Sequence, residues 1–178
     1  MAELEFSTPK TLDKIIEREF TVPPVIKTSV GKIIDELFHA TRKYKSFEHP
    51  RGGVYHYKLG FMNAEKYSRY LPLDSFGLEG KYMLISGVPD NVSYENGQLF
   101  VDELKTTITG RESYVRKVGL AQLQLYMFIT GIPRGRLFIY YKDKNELVLD
   151  RVVSFDKEEF SKIISKYVTI LLARYSCR

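Results

Sequence analysis

Two acids and a lysine stand in a spacing that could do chemistry: Asp90 precedes the Asn96–Gly97 pair, and Glu103 and Lys105 follow it. Side chains alternate along a strand, so Glu103 and Lys105 share one face, about 7 Å apart. Asn-Gly tolerates positive φ at both positions and signals a hairpin. That turn folds the segment carrying Asp90 back beside the other two. Two carboxylates converging with a lysine are costly to bury unless a cation lies between them. A hard divalent ion such as Mg²⁺ or Mn²⁺ accepts such oxygens and keeps some waters. Leu104 offers its backbone carbonyl as a further ligand. The lysine would then orient or deprotonate a water and stabilise charge developing on a phosphate. A bare Glu-x-Lys is common on solvent-facing hairpins. Here Phe100, Val101, Leu104 and the apolar run Tyr82-Met83-Leu84-Ile85 argue for a hairpin inside a sheet.

The elements that must hold these residues can be read from pattern. A first helix is predicted from Thr8-Pro9 to about Phe20, stopped by Val22-Pro23-Pro24. A second runs from about Ser29 to Tyr44, with Val30, Ile33, Ile34, Leu37 and Phe38 on one apolar face and Asp35 and His39 opposite. A glycine- and proline-rich loop covers His49 to Gly53, and a short helix is predicted over Asn63 to Tyr70. Strands follow at Tyr82–Ile85, Val88–Tyr94 and Gln98–Thr106. A third helix is expected over Arg111–Ile129, then strands at Leu137–Tyr141 and Leu147–Leu149. A last helix spans Lys157 to Tyr175 behind an Asp156 cap. That order predicts an α/β layer arrangement around a mixed sheet.

The 178 residues suit one domain, with residues 1–25 read as an N-terminal helical extension. No apolar run approaches the length of a membrane span, and the acidic start is no signal peptide, so a cytoplasmic protein without membrane contact is expected. The single cysteine, Cys177, leaves no internal disulfide and no all-cysteine metal site. The net charge of +5 is a mild excess that suits a polyanion partner. No phosphate-binding glycine loop and no serine-hydrolase elbow occurs. His49 and His56 are too few and too scattered for a zinc site and read as loop or surface residues. Arg42, Lys43, Lys45, Arg51, Arg116 and Lys117 could flank a cleft as phosphate contacts; Arg111, Arg134 and Arg136 are further basic residues. Tyr44, Tyr55, Tyr57 and Tyr114 lie near them as stacking surfaces.

Gly87-Val88-Pro89-Asp90, followed across the turn by Glu103-Leu104-Lys105-Thr106, resembles the catalytic motifs of the PD-(D/E)xK nuclease superfamily. Gln122-Leu123-Gln124-Leu125-Tyr126 is similar to the Gln-x-x-x-Tyr signature of its RecB-like branch, which includes CRISPR-associated RecB-like nucleases. The resemblance covers roughly Val30 to Tyr141. It implies a restriction-endonuclease-like core, a central mixed β-sheet flanked by helices. It also implies a metal-dependent deoxyribonuclease for single-stranded DNA or DNA ends, exonuclease or endonuclease, in DNA repair or recombination. Asp90 and Glu103 would hold Mg²⁺ or Mn²⁺, Lys105 would assist the water, Gln122 would contact the centre or its waters, and Tyr126 the substrate backbone. RecB-like relatives carry a metal-binding Gly-x-x-x-His on an earlier helix. Gly31 to Asp35 fits that frame with aspartate in the last place, and His39 lies one turn later, so either would be the first ligand. Relatives often hold an iron–sulfur cluster through four cysteines; this chain should hold none. A homo-oligomer and helicase or recombination partners are compatible with this reading. The alternatives are a Holliday-junction-type structure-selective endonuclease, acting as a symmetric dimer, and a nucleic-acid-binding module whose catalytic site has decayed.

Overall fold

The computed structural model describes residues 22–38, 55–61 and 65–176. The predicted first helix, and with it residues 1–21 of the supposed extension, lies outside the described residues. The extension's remaining residues are not helical: Val22 is buried in the main core and Val25 opens a strand.

The described chain is a mixed α/β arrangement. Strand β1 (Val25–Ser29) leads into helix α1 (Val30–Phe38), then β2 (Tyr67–Pro72) and β3 (Tyr82–Gly87). The hairpin β4 (Asn91–Glu95) and β5 (Gln98–Thr107) follows, then helix α2 (Glu112–Thr130), β6 (Arg134–Tyr141), β7 (Glu146–Ser154) and helix α3 (Lys157–Ser176). The strands form two mixed sheets rather than the one central sheet expected. The order β1-β3-β2 makes a three-stranded sheet, and β4-β5-β6-β7 makes a four-stranded one. β1 and β3 are parallel, as are β5 and β6; the other pairs are antiparallel.

Sequence periodicity misread the first of these sheets. Val25–Ser29 follows two prolines and is too short to show its period, yet it pairs with β3 from Val25↔Tyr82 to Ser29↔Ser86. Within the predicted helix over Asn63 to Tyr70, residues 63 and 64 lie outside the described residues, and residues 67–70 belong instead to strand β2, paired antiparallel with β3. Ser68, Arg69 and Tyr70 of β2 are exposed and leave little apolar alternation to read. Pairing across the chain overrides such weak local preference. The second sheet was more legible. Asn96 and Gly97 take φ of 50° and 78°, the positive values a tight hairpin requires. Asp156 caps α3 as expected, its Oδ1 accepting the N–H groups of Glu158 (2.9 Å) and Glu159 (3.1 Å).

Helix α2 packs against strands of both sheets and against α1 and α3. Its buried residues, including Leu123, Leu125 and Met127, join Ile33, Met83, Ile85, Leu137 and Ile139 in one core. Tyr167 of α3 is fully buried there, its hydroxyl paired with Thr28 Oγ1 at 2.7 Å. The opposite face of the larger sheet carries a smaller cluster. There Leu104 and Tyr140 meet Phe61, with Tyr55 and Leu59 packed alongside. Among the described residues no helix is long and apolar enough to cross a membrane.

Candidate active site

Asp90 sits where the chain passes from one sheet to the other. Residues 88–90 form a turn between β3 and β4, so the expected strand from Val88 begins only at Asn91. Beyond the β4 pairing, the Leu104 N–H donates to Asp90 Oδ2, at 2.8 Å. This bond ties Asp90 to the strand that carries Glu103 and Lys105.

Alternation along β5 turns Glu103 and Lys105 towards α2 and Leu104 towards the smaller cluster. Lys105 Nζ lies 2.9 Å from Glu103 Oε1. Glu103 is only 2% exposed, and its second oxygen, Oε2, is buried with no hydrogen-bond partner among the described residues. Burial, and next the neighbouring negative charge of Asp90, push its pKa up to about 8 against the pull of Lys105. Burial would raise Asp90 as well. The hydrogen bond and positive charge of His56, then Lys105 and the Leu104 N–H, hold it below the usual value.

His56 is the residue that sequence reasoning set aside. Its Nε2 lies 3.1 Å from Asp90 Oδ2. Residues 55–58 form a helical turn, closed by Leu59 N–H on the Tyr55 carbonyl at 3.0 Å. The turn is anchored by Tyr55 against Tyr140 and Phe61 against Phe138, each with ring centroids 5.2 Å apart. The signal that could have found it is the spacing Gly52-Gly53-Val54-Tyr55-His56. This is a true Gly-x-x-x-His, whereas the frame at Gly31 ends in Asp35.

Asp35 lies on α1, whose first residue, Val30, packs on Gly87 and whose last, Phe38, accepts a hydrogen bond from Tyr114 of α2. Among the described residues no three His, Cys, Asp or Glu side chains form a ready metal-holding group. His39, the alternative, lies outside the described residues, as do Arg42, Lys43, Lys45 and Arg51.

From the other side, α2 brings Gln122 and Tyr126, one turn apart on one face. Tyr126 is buried, and its pKa is raised well above 10, first by that burial and then by the charges of Glu103 and Asp90. Gln122 Oε1 is buried without a hydrogen-bond partner among the described residues. Gln124 plays a different part. It accepts from Asp156 N–H (2.9 Å) and donates to the Ser154 carbonyl (3.2 Å), securing the entry to α3. Two glycines let these groups approach. A Cβ on Gly87 would stand 3.0 Å from the Tyr126 ring and from Val30. A Cβ on Gly119 would stand 2.6 Å from Leu137 Cδ1 and 3.3 Å from Lys105 Cγ.

Of the expected basic contacts, Arg116 is already engaged. Its guanidinium makes two 2.9 Å hydrogen bonds to Asp150, which also lower the Asp150 pKa. Lys117 is exposed, its ammonium 5.9 Å from the centre of the Phe38 ring. Arg136 is likewise committed, to Asp102 and Glu95 on the opposite face of the sheet.

Fold and site together define a mixed α/β protein with a buried acid–lysine cluster at the junction of two sheets. The fold is similar to the crystal structure of SSO0001, with a TM-score of 0.58 at 18% identity over 90% of this chain and 83% of that one. At this identity the likeness speaks for the fold alone. No protein-family model and no curated protein matches the chain.

Proposed function

We propose that this chain is a metal-dependent deoxyribonuclease of the PD-(D/E)xK type, of the RecB-like branch, hydrolysing phosphodiester bonds in single-stranded DNA or at DNA ends. One observation carries the reading. Glu103 is buried beside the charge of Asp90 with one oxygen unsatisfied, an arrangement that costs free energy as it stands and that a divalent cation would relieve. Mg²⁺ or Mn²⁺ therefore fits the donor set, held by Asp90 and Glu103. His56 steadies Asp90 from its far side, and the Leu104 carbonyl would be a further ligand.

When bound, such an ion would polarise a phosphate oxygen and lower the pKa of a water. The chain's own residues do the rest. Lys105, held by Glu103, orients the attacking water and faces the charge that grows on the phosphate. His56 fixes the ionised state of Asp90. Tyr126 walls the cluster from the α2 side, and Gln122 has a buried oxygen left to accept from a water or ligand. DNA as partner and a cytoplasmic location belong to the same proposal.

The test is cleavage of circular and linear single-stranded DNA with Mg²⁺ or Mn²⁺, with and without EDTA, beside Lys105→Ala. Loss of about 10²–10⁴-fold in the variant is expected. A variant as fast as wild type, or cleavage that resists EDTA, overturns the reading. A binding module without catalysis is favoured by one observation, that no three ligating side chains group together among the described residues. DNA binding with no cleavage under any divalent metal would select it.

A further inference from the structure

Beyond the acid–lysine cluster, the end of β5 and the first turn of α2 enclose a cavity of about 340 Å³. Thr106, Thr107, Arg111, Tyr114 and Lys142 line it, with Ile108 at its rim. Two backbone bonds build it. Lys142 N–H donates to the Thr107 carbonyl at 2.8 Å, and Arg111 N–H to the Ile108 carbonyl at 3.1 Å. Among the described residues neither the Arg111 nor the Lys142 head group takes part in an ion pair. Of the nearby acids, Asp143 accepts the Thr109 N–H at 3.0 Å, and Glu112, next to Arg111, has a buried Oε2 without a hydrogen-bond partner among the described residues. Two cations outside any ion pair among the described residues line one pocket, an arrangement that suits an anion.

We propose that this cavity binds a backbone phosphate of single-stranded nucleic acid, next to the acid–lysine cluster. The assignment of a polymer rests on the proposed function; the phosphate chemistry does not. Thr106 and Thr107 directly follow Lys105 on β5. Along α2, Arg111 lies about 12 Å from Gly119, the residue against which Lys105 packs. A strand held at Lys105 therefore reaches the cavity within a few nucleotides. Tyr114 and Ile108 are 45% and 39% exposed, and the Tyr114 ring is fixed because its hydroxyl donates to the Phe38 carbonyl at 2.7 Å. A fixed, exposed aromatic face takes an unstacked base, which favours a single strand over a duplex.

The experiment measures fluorescence anisotropy of a labelled oligothymidine in EDTA at several salt concentrations, for the whole chain and for the double variant Arg111→Ala with Lys142→Ala. Two lost phosphate contacts should flatten the dependence of log affinity on log salt by about 1.4, with affinity about tenfold lower at low salt. Tyr114→Leu should weaken binding about fivefold with the slope unchanged. An unchanged slope in a double variant of wild-type melting temperature overturns the proposal. So does competition by millimolar inorganic phosphate as effective as that by the unlabelled oligomer, which would mark a site for free phosphate. The two readings fail separately. Wild-type binding with the expected slope change but no cleavage sinks the nuclease and keeps the cavity. Cleavage with an unchanged slope does the reverse.

Discussion

Asp102 and Glu103 are neighbours on one strand, equally buried at 2% exposure, and they point to opposite faces of the sheet. On the outer face Asp102 is fully met. Arg136 reaches it with Nε at 2.8 Å and Nη2 at 3.0 Å, Ser93 Oγ donates at 2.8 Å and Asn91 Nδ2 at 3.2 Å. Phe100 and Phe138 cover the guanidinium, their ring centres 4.7 Å and 5.3 Å from its carbon. On the inner face Glu103 has Lys105 on one oxygen and, among the described residues, no hydrogen-bond partner on the other. Burial alone therefore does not mark a site. An acid whose partners are complete is structure; an acid left half met beside a second acid is a place where a ligand lowers the free energy.

The comparison can be broken at several points. Glu103→Gln should reduce metal-dependent cleavage by about 10²–10⁴-fold, since it removes the charge that would hold the ion, while leaving a folded protein. Asp102→Ala should do the opposite. It strands Arg136, which is 14% exposed, and should cost about 3–5 kcal/mol of stability in a thermal or denaturant melt. If both variants lose stability alike and cleavage alike, the two acids do not differ as described.

A pH titration sharpens the contrast. The pKa of Glu103 is raised from 4.5 to about 8 in the metal-free fold. Its stabilising contribution is therefore whole below pH 4.5 and is lost as pH rises through about 8. Asp90, whose pKa is lowered, contributes above its ordinary value of 3.8 and loses that contribution only in acid. The metal-free melting temperature should thus fall between about pH 5 and 9, and Glu103→Gln should flatten that fall. Adding Mg²⁺ at about pH 8 should raise the melting temperature of the wild type but not of the variant, with proton release visible by calorimetry. The smallest expected effect is that of Gly119→Ala. Its new methyl meets Leu137 and the stem of Lys105, a strain of about 1–3 kcal/mol partly offset by about 1 kcal/mol of helix propensity. Cleavage should fall more than stability, because in the proposed reaction the displaced lysine is the group that acts. A variant more stable than wild type and equally active would show that α2 does not seat Lys105.

Much of the larger sheet was legible because its signals are local. Period-two alternation in β5, the Asn96–Gly97 turn, the Asp156 cap and the apolar stripes of α2 and α3 all lie within a few residues of what they determine. The smaller sheet was not. β1 is short, and β2 is exposed along most of its length, so the strand character of each comes from β3 rather than from its own residues. The basic residues show the same limit. Arg116 looks like a phosphate contact until Asp150, distant in the chain, arrives against it.

By itself the sequence determined that Glu103 and Lys105 share a face and that a hairpin returns the chain beside Asp90, because strand period and turn chemistry are properties of consecutive residues. Only the tertiary structure decided which face of β5 is the buried one, that Asp90 is bonded to the Leu104 N–H, and that His56 stands beside it. Those facts depend on where α2 and the helical turn at residues 55–58 pack, and packing is chosen by surfaces brought together from distant parts of the chain.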